Sequence, residues 1–257
     1  MFKSIALMSL LALIGCQAVA DSVAVVSESL QMTEARVPVE RIGSELVDVS
    51  VDISYRKNMT QADYPDFIQL KQDLRTWTDG FEWTPEEGKS PRGWEALASA
   101  LSTGVLANYP TINFVALTVS VYPNARHPYA RSYKSLALRP ATDANAPQTD
   151  LSVTLPIESH GIDHQGPNVI DLTTELHYAD GATDYPAVQD VYGLLFEMME
   201  AYPVESDYWE TLMKSMSADL LETYPQFDAI DMTMLVYPTE SVSYFHRIHC
   251  RTERDAR

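Results

Sequence analysis

Hydrophobic and polar positions alternate with two clear periods along this chain. Val47, Val49, Val51 and Ile53 alternate with polar residues, which predicts a half-buried strand. Asp66 to Trp77 then reads as a helix. Trp94, Leu97, Ala98, Leu101, Val105 and Leu106 fall on one face of a second helix. Ser90-Pro91 ahead of it suits an N-cap and a first-turn proline. Leu117, Val119 and Val121 mark a strand, and Ser132–Arg139 another.

The same order returns. A strand is predicted at Val169 to Tyr178 and a helix at Ala187 to Glu200, with Val188, Val191, Leu194, Leu195 and Met198 at helical spacing. Trp209, Leu212, Met213, Met216, Leu220 and Leu221 form a second helical face. Met232, Met234 and Val236 lead to a last strand at Tyr244–Arg251. Extra strands are expected at the start of each copy, near Val23–Ser29 and Asp150–Leu155. Identity supports a duplication. Between Trp94 and Pro123, 11 of 30 positions recur without a gap at an offset of 115. Asp63-Tyr64-Pro65 recurs as Asp184-Tyr185-Pro186 at an offset of 121. Residues 141–147 lie in a Pro/Ala/Asp stretch without periodicity, which places the join between units 22–140 and 148–257. Consecutive helices between strand pairs predict an α+β fold: two tandem ββααββ units, an antiparallel sheet, helices on one face.

The 257 residues suffice for a sizeable core. A net charge of −18 disfavours phosphate backbones, so no nucleic acid partner is expected. Neither G-x-G-x-x-G nor a P-loop is present, and no cofactor is implied. Residues 1–15 carry one lysine and then an apolar run ending Leu13-Ile14-Gly15-Cys16, which reads as a lipoprotein-type signal peptide with lipidation at Cys16. Cleavage after Ala18-Val19-Ala20 is the alternative, giving a soluble periplasmic protein. Gln17 after the cysteine points to an outer-membrane lipoprotein facing the periplasm. Cys250, the other cysteine, reads as a small strand residue. His246, His249 and Cys250 cannot converge from one strand without a bulge; His160 and His164, four apart around a glycine, are better placed, but surface or barrel-lining histidines are the preferred reading and no metal is expected.

The order of elements and motifs resembles the tunnelling fold and, within it, the dihydroneopterin aldolase/epimerase family. The carrying residues are His160-Gly161, Asp184-Tyr185-Pro186-Ala187-Val188 and Tyr208-Trp209-Glu210-Thr211-Leu212, with near-complete recurrence in the first copy. Urate oxidase is a relative in this fold with two units per chain, but its signature motifs are not evident. The resemblance implies that a second-helix glutamate anchors the amidine edge of a pterin or purine, which assigns Glu95 and Glu210. A carboxylate can accept two parallel N–H bonds from such an edge. Tyr64 and Tyr185 match the family's site tyrosine, and His160 its His-Gly turn. Copy two keeps that turn, so Glu210 ranks above Glu95.

Tyr122 and Tyr237 stand where the family's catalytic lysine precedes a proline. Tyrosine lacks the ammonium charge. The family's glutamate after the His-Gly turn is also missing, with Asp163 or His164 as its only nearby substitutes. The expectation is therefore an extracytoplasmic lipoprotein that binds a pterin- or purine-like heterocycle without the lysine-dependent chemistry. An active aldolase/epimerase-like lyase with altered catalytic residues, and a ligand-free structural envelope protein, are the alternatives. Open sheet edges predict a homo-oligomer, a dimer closing a sixteen-strand ring. A monomer kept apart by its charge is the alternative.

Overall fold

A computed structural model describes residues 29–40, 44–56, 59–83, 93–125, 127–140, 148–202 and 208–254. The signal segment, Cys16 and Ser90-Pro91 lie outside them. The order is β1 (Ser29–Glu40), β2 (Ser44–Tyr55), α1 (Phe67–Asp79), α2 (Trp94–Asn108), β3 (Ile112–Val121), β4 (Arg131–Leu138), β5 (Gln148–Asp163), β6 (Pro167–Tyr178), α3 (Val188–Ala201), α4 (Trp209–Thr223), β7 (Phe227–Val236) and β8 (His246–Glu253). The ββααββ pattern thus occurs twice. All eight strands form one antiparallel sheet in sequence order, β1 to β8.

Pairing of β4 with β5, from Ser132↔Thr154 to Leu138↔Gln148, makes the sheet continuous across the join. The predicted join at residues 141–147 lies outside the described residues, between two strands that pair with each other. The duplication is exact in register at the first strand pair of each unit. Ser29↔Ser54 and Ser152↔His177 both start their ladders, an offset of 123. Both ladders shift at the same point, between Glu34 and Val37 and between Ile157 and His160. His160-Gly161 thus follows a β-bulge inside β5, where Ser159 takes φ 52°; it is not a turn. The turn comes later, at Gln165 (φ 55°) and Gly166 (φ 99°). The expected strand near Val23–Ser29 has only its last residue within the described chain. The described first strand runs on to Glu40, where Pro38 and the bulge obscure alternation.

One sheet face packs against all four helices. Val47, Val49, Val51 and Ile53 join Val115, Leu117, Val119, Leu172, Leu176, Met232 and Met234 there, each almost wholly buried. Ser and Thr dominate the other face, including Ser50, Thr118, Ser132, Thr154, Thr173 and Thr233. This is the pattern of a sheet with one dry and one solvated side. Asp66 caps α1 by accepting from Ile68 and Gln69 N–H. Helix α2 starts at Trp94 on Gly93, so the expected Ser90 cap is not at its N-terminus.

The second helix of each unit ends on an arginine from the unit's last strand. Arg139 donates to the carbonyls of Leu106, Tyr109 and Ile112, the last at 3.1 Å. Arg254 repeats this 115 residues on, donating to Leu221, to Tyr224 at 3.2 Å and to Phe227 at 3.1 Å. Of these, the Leu106 and Leu221 carbonyls have no intrahelical donor, because Pro110 and Pro225 stand four residues on, and a cation suits the helix C-terminus. Arg254→Met should therefore lower unfolding free energy by about 1.5–3 kcal/mol, the range for hydrogen bonds to charged groups. Urea denaturation measures it, with the slope expected to be unchanged.

Candidate functional site

Helix α2 belongs to the first unit, yet it packs over β5 of the second as well as over β3 and β4. Its N-terminus is thereby carried to the seam between units. Glu95, in its first turn, is 4% exposed and accepts the Tyr178 hydroxyl on Oε1 at 2.8 Å. Tyr178 ends β6, so this bond crosses the seam. The other carboxylate oxygen lies against Gly93. A Cβ there would stand 2.3 Å from it, so only glycine permits this close approach. Burial, with the Glu95 carboxylate next, holds the Tyr178 hydroxyl well above the usual tyrosine range. Tyr178 therefore stays a neutral donor.

A cleft of about 350 Å³ opens here, at the small end of ligand pockets, which run from about 300 to 1,000 Å³. The first unit contributes Trp94, Glu95, Tyr129, Arg131, Tyr133 and Glu45; the second contributes residues 183–189 and Tyr192. Tyr185, with Asp184 and Pro186, sits in the wall and packs edge-on against Tyr178 at 5.0 Å. Burial and then Glu95 raise its hydroxyl pKa too. Tyr192 stacks on Tyr129 at 4.4 Å, and its hydroxyl donates to the Ala130 carbonyl at 2.6 Å. Trp94 lies nearly parallel to Tyr133 at 6.5 Å. The walls are thus aromatic, as a flat ring requires.

An ion pair stands at the far end. Arg131 Nη2 reaches Glu45 Oε1 at 2.8 Å, with side chains 6% and 7% exposed. Asn124 also donates to Glu45, at 3.1 Å. Arg131 Nη1 is buried without a hydrogen-bond partner. Arg131 and Tyr133 share a strand face, which sets them about 7 Å apart along β4.

The structure separates the other sequence candidates from this cleft. Glu210 is exposed, so it is not the buried anchor expected of it. Its helix starts like α2, but among the described residues no further unit lies beside it. Tyr64 is 37% exposed and packs on Tyr55, away from Glu95. Tyr122 and Tyr237 point to the solvated sheet face, where they donate to Asp48 and Asp171, each at 2.8 Å. That bond, first among the causes, raises the Tyr237 pKa. Tyr237 also borders a second hollow with Asn168, Trp209, Tyr244 and His246. His160 packs against Phe196 at 5.2 Å, behind the cleft wall. Asp163 is exposed, whereas His164 is buried edge-on against Trp209 at 4.3 Å. Cys250 is buried, as a small strand residue would be.

Sequence reasoning passed over Arg131, Glu45 and Tyr178. Each carried a signal. Arg131 and Glu45 continue the apolar phase of β4 and β2, so each puts a charge where the pattern demands an apolar side chain. Tyr178 ends the phase of Ile170, Leu172 and Leu176.

The cross-seam bond has measurable weight. Tyr178→Phe leaves a buried carboxylate one donor short, at a cost of about 1–3 kcal/mol near neutral pH. Tyr178 has a raised folded pKa, so its contribution is complete below the unfolded value near pH 10 and falls as pH rises beyond it. Denaturation series at pH 7 and above pH 10 should show the wild-type advantage shrinking at the alkaline end. A constant difference would contradict the assignment.

Comparison with solved structures agrees with this architecture. The uricase from Arthrobacter globiformis matches with a TM-score of 0.67 at 13% identity, over 91% of this chain and 97% of the uricase. A uricase from Bacillus fastidious matches with 0.61 at 11%, over 87% and 90%. A highly active mutant of Bacillus sp. TB-90 urate oxidase matches with 0.65 at 11%, over 87% and 97%. No family model and no curated protein matches the chain. The structural neighbours are thus uricases and do not single out the aldolase branch. At these identities the likeness shows the fold alone: the chain has the tunnelling fold, two ββααββ units in one α+β polypeptide.

Proposed function

We propose that the protein binds a flat nitrogen heterocycle of the pterin or purine class in the seam cleft, without the lysine-dependent chemistry of the dihydroneopterin aldolase family. One observation carries this reading: the Glu95 carboxylate is buried, is held by Tyr178 from the other unit, and lines an aromatic cleft of ring size. A carboxylate so placed can accept an N–H pair from a ring edge. The uricase neighbours, named for a purine, fit the same ligand class. Tyr122 and Tyr237, in the positions of the family's lysine, are engaged with aspartates on the other sheet face.

In this reading Glu95 and Tyr185 are ligand contacts, and Glu210, Tyr64 and His160 are not contacts in the single chain. Calorimetry with guanosine and with a pterin tests it. Glu95→Gln keeps the shape but removes the charge, and should weaken binding by about ten- to a hundredfold, equivalent to about 1.5–3 kcal/mol. Glu210→Gln should leave the affinity of this cleft unchanged. Equal affinity for wild type and Glu95→Gln would overturn the assignment.

Two further parts of the reading concern setting. The outer strands β1 and β8 suit closure of a sixteen-strand ring by a second copy, since open edges invite pairing. Light scattering of the lipid-free chain should give twice the chain mass; a single-chain mass contradicts closure. The signal segment suits an envelope protein held by a lipid on Cys16, facing the periplasm. Cys16→Ser should then move the protein from the membrane fraction to the soluble fraction.

A further inference from the structure

Five of the eight large apolar side chains exposed among the described residues stand near the two edges of the sheet. Tyr64 and Ile68 sit at the start of α1, which packs over β1, and Ile68 is 70% exposed. Tyr208 precedes α4 and is 74% exposed, and Tyr244 and Phe245 precede β8. Single apolar residues on a surface need no account, but two groups beside the strands that ring closure would join do. This inference rests on that closure.

The repeat points to what covers the second group. The hollow of about 470 Å³ beside β8 is bordered by Trp209, Tyr244, His246 and Asn168. The first three are the counterparts of Trp94, Tyr129 and Arg131 at an offset of 115, and Asn168 is that of Glu45 at 123. The hollow is therefore one half of a seam. In the seam cleft the other half includes Tyr185 and Gln189, at the start of α3. Their counterparts at an offset of 121 are Tyr64 and Ile68, the first group. A second copy whose β1 pairs with β8 as β5 pairs with β4 sets the two groups face to face. A closed ring makes this joint twice.

The joint does not repeat the ligand cleft. Three positions gain apolar bulk: Tyr208 stands for Gly93, Phe245 for Ala130 and Ile68 for Gln189. The first exchange also removes the anchor. A Cβ at Gly93 would stand 2.3 Å from the Glu95 carboxylate, and Tyr208, extended like Gly93, carries one. Glu210 is thereby barred from the buried pose of Glu95.

We propose that the seam between copies is a packed joint rather than a second ligand cleft: Tyr64 and Ile68 of one copy fill the hollow beside Tyr208, Tyr244 and Phe245 of the other. Apolar contact holds the ring closed there, and the ring-binding seam stays inside each chain.

Light scattering of the lipid-free chain tests this with Ile68→Glu and Tyr244→Lys. Both positions are exposed in the single chain, so far-ultraviolet circular dichroism should match the wild type. Each variant should raise the dimer dissociation constant by about thirtyfold or more, as loss of an interface anchor does. Mixing the two variants should restore dimers, because one joint of the mixed pair is wild type and the other sets a glutamate against a lysine. A wild-type chain of single-chain mass would overturn ring closure and the joint with it, and flotation of that chain with phosphatidylglycerol vesicles would assign the apolar groups to a membrane. A wild-type dimer that neither variant weakens, or variants that mixing does not rescue, would overturn the joint and leave closure standing. In calorimetry, two guanosines per chain, the second lost in Glu210→Gln, would overturn the packed role. Absence of guanosine binding would overturn the ligand reading of the seam cleft alone, since scattering decides the joint.

Discussion

The pairing of β4 with β5 fixes everything else at the site. It is a ladder between the last strand of one unit and the first strand of the next, in one polypeptide. Because the sheet continues through it, the second helix of the first unit lies over strands of the second. That overlap brings Glu95 to Tyr178 and sets residues 183–192 opposite Trp94 and Arg131. Neither unit holds the cleft alone. Without the ladder, the Glu95 carboxylate would face water and lose the donor that makes its burial tolerable.

Two buried acids then divide the work. Glu95 has its hydroxyl donor from across the seam, and Glu45 has Arg131 and Asn124. Buried ion pairs contribute little net stability in many proteins, because desolvation offsets attraction. Their place among mostly apolar side chains on the buried sheet face points to use rather than stability. The aromatic lining supplies the complementary part, a dry slot between ring faces. Arg139 and Arg254, by contrast, are the same device used twice for purely structural ends, each closing a helix C-terminus.

Much of the fold was legible because it depends on local periodicity. The period-2 run from Val47 to Ile53 and the helical faces from Trp94 and Trp209 all appear where the pattern places them. The repeat was legible as well, since Tyr109-Pro110 and Tyr224-Pro225 survive at fixed offset. The site was only half legible. Glu95 and Glu210 begin helices of nearly identical local sequence, apart from Gly93 and Tyr208 just before them. What also separates them is the neighbour along the sheet, which is a property of topology. Glu95 has the second unit beside it, and among the described residues no further unit lies beside Glu210. The His160-Gly161 resemblance is local in the same way. It favoured the copy with the better motif, whereas the motif lies at a bulge behind the wall. Arg131 and Glu45 were visible only as charges in an apolar phase, a pattern that marks buried function more often than error.

The central claim is that the competent cleft lies inside one chain, between its two units, with Glu95 as anchor. The most direct measurement is a crystal structure of the protein soaked with guanosine. The account predicts the base between the aromatic walls of the seam, with its donor edge on Glu95. A seam cleft that stays empty while guanosine occupies another surface would contradict it.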